Sequence, residues 1–347
     1  MTNADRAHRS GTGGRVVVAP DSFKGTYSAA EVAAALAAPL QEAGYEVDRL
    51  PLADGGEGTA DALLAAAGGR RIEVEAHDPL GRPVRSWYAM LSGGETAVVE
   101  AAAASGLGLV DEPERDPERA STRGTGELIA AAASRVASIL VGVGGTATTD
   151  GGRGAVEAIA EARGVGAAGI TCLCDVRIPW ELAAPEFGPQ KGADRASVTR
   201  LSARLARDAC ELPRDPTGVP MTGAGGGLAG GLWAACGAEL VDGARFVADR
   251  ARLDERLFRA IAVVTGEGRL DATTLRGKTV SEVARRAALG GVAAYAVVGQ
   301  DAATGAERRT LGLESVRVAS TIAEIEDAAA AIAEELDLDV LDKRGSM

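Results

Sequence analysis

Lysine is rare in this chain and lies beside glycine. Four lysines accompany 33 arginines among the 347 residues, and three of the four, Lys24, Lys191 and Lys278, are next to a glycine. A lysine ammonium is a compact charge on a flexible stem, so it can reach a phosphate oxygen inside a tight loop. This placement predicts that the protein handles small phosphorylated anions.

Glycine-rich segments follow apolar runs or precede predicted helices at six places along the chain. They are residues 21–25, 54–59, 121–127, 144–152, 223–227 and 266–271. Glycine lets backbone amides converge on a ligand, and the N-terminus of a following helix favours an anion. A single glycine turn means little, but six of them, most with an acidic residue, indicate a binding site.

The acidic residues of these segments suit phosphoryl transfer, which depends on positioning and charge neutralisation more than on covalent chemistry. Asp54 and Glu57 are candidates to accept the proton of a substrate hydroxyl. Asp150, Glu267 and Asp271 are oxygen donors of the kind that Mg²⁺ takes. For Glu57 and Asp150 the alternative role is helix capping. For the carboxylates near Arg269 the alternative to a metal ligand is an ion pair with that arginine.

Composition excludes several other classes of function. The chain has two histidines, His8 and His77, so histidine-based triads and histidine-rich metal sites are nearly excluded. A net charge of −12 argues against nucleic acid or an anionic membrane as a partner. No run of 18 apolar residues exists, and residues 1–14 lack the apolar core of a signal peptide and are interpreted as a disordered leader. With four cysteines that fit no zinc spacing, we expect a cytoplasmic protein with free thiols.

The order of predicted elements indicates an α/β protein. Both chain ends are predicted to alternate between helices and the strands of a parallel sheet. Residues 70–101 are predicted to form successive strands with antiparallel pairing. The predicted domains are residues 15–67 with 248–345, and an inserted α/β domain over 68–247. We also expect a capping box at Ser28 and Glu31, before a helix that ends near Ala43.

Generic nucleotide fingerprints fit poorly. Gly277-Lys278-Thr279 is similar to the end of a P-loop, but the earlier glycine of that motif is replaced by Ala272. The pattern Gly225-x-Gly227-x-x-Gly230 lacks a convincing strand before it, so an NAD-dependent dehydrogenase is a distant alternative.

Six strings together resemble the bacterial glycerate 2-kinase family. They are 19–25 (APDSFKG), 53–59 (ADGGEGT), 121–127 (STRGTGE), 144–152 (GGTATTDGG), 187–193 (FGPQKGA) and 265–271 (TGEGRLD). The resemblance implies transfer of the γ-phosphate of ATP to the 2-hydroxyl of D-glycerate, with Mg²⁺. It also implies a flavodoxin-like parallel α/β domain made of both chain ends, with a second, mixed α/β domain inserted.

Roles for individual residues follow from the residue types together with this resemblance. The expected catalytic residues are Lys24, Asp54, Asp150 and Lys191. The expected substrate-binding residues are Ser22, Glu57, Arg123, Thr146 and Asp175, with Arg123 suited to a substrate carboxylate. The expected nucleotide-binding residues are Gly144, Gly145, Gly225, Gly226, Gly227, Arg269 and Lys278. The expected metal ligands are Glu267 and Asp271.

The chain departs from the family pattern in two places. Only residues 164–169 separate Arg163 from Ile170, where the family usually carries a longer segment, and Ile178 follows Asp175 where the family tends to have an amide. We expect these changes to alter the choice of acceptor, so another small hydroxy acid is one alternative substrate. A catalytically silent nucleotide-binding regulator is an alternative of another class. A homodimer is compatible with the sequence.

Overall fold

A computed structural model describes residues 14–345, so nearly all of the predicted leader lies outside the described residues. The strands are β1 (Arg15–Val18), β2 (Glu46–Arg49), β3 (Gly69–His77), β4 (Pro83–Leu91), β5 (Thr96–Glu100), β6 (Ser138–Gly142), β7 (Gly169–Cys174), β8 (Glu239–Asp242), β9 (Ala262–Leu270), β10 (Ala293–Asp301) and β11 (Ser315–Val318). The helices are α1 (Ala29–Glu42), α2 (Thr59–Ala67), α3 (Ala102–Ser105), α4 (Arg123–Ala133), α5 (Arg153–Glu161), α6 (Ala183–Phe187), α7 (Arg195–Glu211), α8 (Leu228–Cys236), α9 (Gly243–Arg250), α10 (Leu253–Leu257), α11 (Thr279–Gly290), α12 (Gly305–Leu311) and α13 (Ile322–Gly345).

The chain forms two compact units. The first contains the chain ends, up to Ala53 and from Ala248 onward, and the second is Asp54–Val247. The sequence prediction placed residues 54–67 with the chain ends. The structure instead packs α2 of this segment against β4 and β5 of the second unit. The reason is that Ala60, Ala62 and Leu63 of α2 are buried, and β4 and β5 supply the surface that covers them.

The first unit contains a parallel five-stranded sheet in the order β11–β10–β9–β1–β2. Counted along this unit the order is 2-1-3-4-5, which is the flavodoxin-like arrangement. Val16, Val18 and Val264 join α1 and α13 in one buried cluster, while Val298 belongs to a second cluster with Val280 of α11 and Leu311 of α12. Strands that are covered on both faces explain why these segments read as continuous apolar runs.

The second unit contains a six-stranded mixed sheet in the order β3–β4–β5–β6–β7–β8. Strands β3, β4 and β5 pair antiparallel, and β5 through β8 pair in parallel. The antiparallel start of the inserted domain is therefore confirmed. The α/β class that was predicted from the sequence is also confirmed.

The local structure agrees with the sequence at the predicted capping box and differs from it at two glycine-rich segments. The capping box is present, since the Ser28 side chain accepts from the Glu31 amide and the Glu31 carboxylate accepts from the Ser28 amide. Two predicted glycine loops are regular structure instead. Residues 266–270 continue β9, because β10 pairs with it as far as Leu270, and Arg123 already begins α4.

Within residues 14–345, no helix combines the length and the apolar character that a membrane span requires.

A buried arginine joins helices of the first unit. Arg286 on α11 has a side chain that is 4% exposed and forms ion pairs with Glu282, Asp249 and Asp254. The Glu282 side chain is itself only 11% exposed, whereas the two aspartates are largely exposed. The buried half of this network is the energetically sensitive part, because an unpaired charge there lacks both water and a counter-ion.

We expect Arg286→Ala to destabilise the first unit by about 3 kcal/mol, because it opens a cavity and leaves Glu282 with only the half-exposed Arg285 as an ion-pair partner. Urea unfolding would measure the change. The matched control is Arg285→Ala, which removes the other, half-exposed partner of Glu282 and should cost less than about 1 kcal/mol. Equal losses for the two variants would contradict this interpretation.

Candidate active-site edges

The loop of residues 54–59 lies at the carboxyl ends of the parallel strands of the second unit. The Gly144 amide, just after β6, donates to the Gly55 carbonyl at 3.2 Å. A Cβ on Gly55 would lie 2.6 Å from the Leu173 carbonyl oxygen of β7, and one on Gly144 would lie 2.7 Å from Gly56 Cα. These contacts are backbone against backbone, so the loop is fixed on the sheet edge where α/β folds place their ligands.

Asp54 and Glu57 occupy different environments in this loop. Asp54 is 2% exposed, and its Oδ1 accepts from the Gly56 amide at 3.1 Å. Glu57 is exposed. Asp54 is thus the rigidly held carboxylate of the pair, and the role of each as a proton acceptor stays a prediction.

Lys191 is distant from residues 54–59 in the sequence but lies at the same edge of the sheet, beside Thr146. It is 3% exposed, and its Nζ donates to Thr146 Oγ1 at 3.0 Å and to the Thr148 carbonyl at 2.5 Å. Burial lowers the pKa of Lys191 to about 8, although the charges of Asp175 and Asp150 raise it. The structure therefore brings together four residues that the sequence predicted separately: Lys191, Thr146, Asp175 and Asp150.

Asp175 borders the glycines of the 144–152 loop. A Cβ on Gly144 would lie 3.0 Å from Asp175 Oδ2, and one on Gly145, whose φ is +74°, would lie 3.3 Å from Ala102. Both positions need glycine because of the protein around them. Their predicted role in binding a nucleotide is separate from this packing requirement and stays a prediction.

Asp150 is fully engaged in the fold. Its Oδ2 accepts from the Thr122 amide and the Thr122 hydroxyl, both at 2.8 Å, and from the Gly154 amide at 3.2 Å. Its Oδ1 accepts from the Gly152 amide at 3.1 Å. These bonds cap the start of α5 and tie it to α4, which is the capping alternative that the sequence left open. The catalytic role of Asp150 stays a prediction.

Arg123 has partners within its own unit. As the first residue of α4 it donates through Nη1 and Nη2 to both carboxylate oxygens of Glu161, and through Nε to Glu127. A bidentate fork of this kind is the geometry that a substrate carboxylate would need. Binding a substrate through Arg123 would require the pair with Glu161 to open.

Three consecutive glycines support the 144–152 loop. Gly225, Gly226 and Gly227 have φ values of +63°, +69° and +91°. A Cβ on Gly226 would lie 2.0 Å from the Thr148 carbonyl oxygen, and the Gly226 carbonyl accepts from the Gly151 amide at 3.1 Å. Protein backbone packs directly against this turn, so packing alone requires glycine at these positions, whether or not a nucleotide also contacts them.

The carboxyl edge of the first unit carries the remaining predicted residues. Lys24 is exposed in the loop after β1, and Ser22 donates through its amide to Asp21 Oδ1 at 2.6 Å. Asp21 Oδ2 accepts from the Thr279 hydroxyl at 2.6 Å, at the first residue of α11. Asp21 and Thr279 were not predicted, although Asp21 lies within the first glycine-rich string.

The predicted metal ligands lie at the end of β9 in this unit. Thr274 connects them, since its hydroxyl donates to Glu267 Oε1 at 2.6 Å and accepts from the Asp271 amide at 3.2 Å. Burial raises the pKa of Asp271, but the hydrogen bonds from Thr273 and the charges of Lys278 and Arg269 outweigh it and hold the pKa below its usual value. Asp271 is therefore an ionised carboxylate next to both predicted nucleotide-binding cations.

A glutamate that sequence reasoning missed lies at the end of β5. Glu100 is 5% exposed, and its Oε1 accepts from the Ala60 amide at 2.7 Å. A carboxylate that interrupts the apolar run of residues 97–101 at a strand end was the available signal.

Comparison with known proteins identifies the family. Residues 16–164 and 160–340 match the glycerate kinase family. This chain belongs to the glycerate kinase family. The resemblance recognised from the motifs is thus confirmed, as is the prediction of a kinase-type phosphotransferase.

Individual relatives agree with this assignment. The chain is 38% identical over 314 residues to a glycerate kinase of Haemophilus influenzae, covering 79% of this chain and 82% of the relative. It is 37% identical over 313 residues to the glycerate 2-kinase of Escherichia coli K12, covering 78% and 82%. A crystal structure from Salmonella typhimurium LT2, provisionally described as glycerate kinase 2, has a TM-score of 0.78 and 33% identity, covering 95% of this chain and 100% of that chain.

The shortened segment of this glycerate kinase family member lies away from the predicted site. Residues 164–168 connect α5 to the beginning of β7, where Gly169 pairs with Ser138 at the start of β6. The site residues follow the opposite ends of these strands. A connection that enters a parallel strand lies at the amino edge of the sheet, so the shortening lies at the edge opposite to the predicted site, and its effect on the acceptor stays a prediction.

We expect Gly226→Ala to destabilise the second unit by roughly 2–5 kcal/mol. The left-handed conformation accounts for roughly 1–2 kcal/mol, and overlap with the Thr148 carbonyl accounts for the rest. The matched control is Gly218→Ala, because Gly218 has a φ of +72° with nothing within 4 Å of the added Cβ. Urea unfolding of both variants measures the difference, and equal losses would show that the close packing is unimportant.

Proposed function

We propose that this protein transfers the γ-phosphate of ATP to the 2-hydroxyl of D-glycerate in the cytoplasm, with Mg²⁺. Membership of the glycerate kinase family supports the acceptor, and the name of the Escherichia coli relative supports the 2-position. The observation that carries the proposal within this chain is Lys191, a buried ammonium held at the carboxyl edge beside Thr146.

The chemical roles follow from the geometry of the second unit. Lys191 provides a fixed positive charge at a buried position, where one charge stabilises a developing phosphoryl charge strongly. Asp54 is held by the Gly56 amide and accepts the proton of the acceptor hydroxyl. No covalent intermediate is needed, in keeping with the absence of a histidine from this set of residues.

The residues predicted to hold Mg²⁺ suit the ion in chemistry and in number. Glu267 and Asp271 present carboxylate oxygens, and Mg²⁺ usually takes one or two carboxylates while phosphates and water complete its shell. Among the residues whose side chains the structure describes, no three or more histidine, cysteine, aspartate or glutamate side chains are grouped so that they could hold a metal ion. Bound there, the ion would neutralise phosphate charge.

A product assay tests this function. We expect ³¹P NMR of a reaction with ATP, Mg²⁺ and D-glycerate to show 2-phosphoglycerate and no 3-phosphoglycerate, with kcat/KM of about 10⁴ M⁻¹s⁻¹ or more. L-glycerate and a panel of C3–C5 hydroxy acids are the controls. A better acceptor in the panel would favour the alternative of another hydroxy acid, and no turnover with any acceptor would favour the silent regulator.

We expect Lys191→Met to lower kcat by ~10²–10³ while the protein stays folded. The loss follows from removal of the transition-state charge. The methionine chain fills the space of the lysine stem, and the Thr148 carbonyl that loses its donor costs about 1–3 kcal/mol of stability. In the wild type, activity should fall as the pH rises through about 8, where Lys191 loses its proton.

The pH–rate profile and thermal unfolding measure both effects. Arg207→Ala, at an exposed position of α7 outside the predicted site, is the control that should retain full activity. A Lys191→Met variant with normal turnover would remove Lys191 from the mechanism.

A further inference from the structure

Glu100 is a buried carboxylate that the proposed chemistry does not use. It ends β5, beside Gly142 at the end of β6, and its carboxylate contacts the beginning of α2. A carboxylate loses its hydration when it is buried, so it is retained only where hydrogen bonds or a function compensate for that loss. The compensating partners here are backbone amides at the start of α2, Ala60 at 2.7 Å and Gly58.

These amides belong to the segment that presents Asp54. Gly58 has a φ of +91° and immediately precedes α2, while the Thr59 hydroxyl donates to the Gly56 carbonyl at 2.7 Å. The Gly56 amide in turn donates to Asp54. A continuous set of hydrogen bonds therefore runs from Glu100 through the helix start to Asp54, all within the second unit.

We propose that Glu100 is a positioning residue that fixes the Asp54–Thr59 loop for phosphoryl transfer. The inference rests on the proposed function, because it assigns Asp54 as the proton acceptor. Backbone contacts fix the 55–56 part of this loop on β6 and β7, but Gly58 has no atom within 4 Å of an added Cβ. Glu100 supplies the attachment of the loop at that open end.

The charge state of Glu100 connects this attachment to pH. Burial, together with the charges of Asp61 and Glu57, raises the pKa of Glu100 to about 7 in spite of the hydrogen bonds from Ala60 and Gly58. Strand β6 and helix α3 carry no titratable side chain. The other titratable groups on the elements packed against β5 are Arg85 and Tyr88 of β4 and Arg123 and Glu127 of α4. Ionised Glu100 is a stronger hydrogen-bond acceptor than the protonated acid, so activity should rise as the pH passes upward through about 7.

Glu100→Leu and Glu100→Gln test the proposal in the full-length protein. We expect Glu100→Leu to lower kcat about 100-fold, the effect of a misplaced catalytic group, with the KM for ATP unchanged. Glu100→Gln keeps one acceptor oxygen, so it should recover most of that loss and abolish the acid limb of the pH profile. Wild-type kcat in Glu100→Leu, or an unchanged acid limb in Glu100→Gln, would overturn the proposal.

Hydrogen exchange provides a readout that does not depend on glycerate. We expect Glu100→Leu to increase deuterium uptake in a peptide covering residues 54–62, and Glu100→Gln to increase it less. The control peptide covers residues 225–232, which should be unaffected. If the wild type phosphorylates no acceptor but the exchange pattern is as expected, the proposed function fails while the positioning by Glu100 stands. Unchanged exchange in residues 54–62 would refute the positioning itself, and if Glu100→Leu does not fold, the pH profile and exchange of Glu100→Gln decide.

Discussion

Backbone-to-backbone packing at the carboxyl edge of the second sheet is the constraint on which the rest of the site depends. A Cβ on Gly231 would lie 2.2 Å from the Gly151 carbonyl oxygen, and one on Gly243 would lie 2.2 Å from that of Asp54. Together with Gly55 and Gly226, these positions bring separate loops closer than side chains allow. Much of this arrangement rests on backbone contacts, with the buried ring of Trp180 packed against Gly151, Gly227 and Gly230, so a chain with 3% aromatic content builds a close-packed site.

The same packing excludes water from the few charged groups that it encloses. Burial lowers the pKa of Lys191 to about 8 and raises that of Glu100 to about 7. Burial thus lowers the pKa of the base Lys191 and raises the pKa of the acid Glu100, so that both groups titrate near neutral pH. Between these values the ammonium and the carboxylate are both mainly charged, which is the state that the proposed chemistry and the proposed positioning require.

The sequence predicted most of the architecture, because continuous apolar runs such as residues 16–18 and 262–264 are characteristic of covered parallel strands. It did not predict β8 and β11, whose four residues are only partly buried and form no apolar run. Helix α12 was missed despite a readable capping box at Thr304 and Glu307. For the site, glycine-rich strings identified the right segments, but whether Asp150 or Arg123 is already engaged depends on partners distant in sequence, such as Thr122 and Glu161, that only the fold brings together.

The two departures from the family pattern can now be weighed separately as causes of a changed acceptor. The shortening after Arg163 lies at the amino edge, so it leaves the residues that follow β6 and β7 in place. Ile178 does follow β7 at the carboxyl edge, but its carbonyl accepts from the Gly223 amide at 3.1 Å, and a Cβ on Gly223 would lie 3.0 Å from its side chain. Ile178 is therefore packed against the segment that leads into Gly225. Both departures are therefore accommodated by packing within the second unit, and their effect on the choice of acceptor stays a prediction.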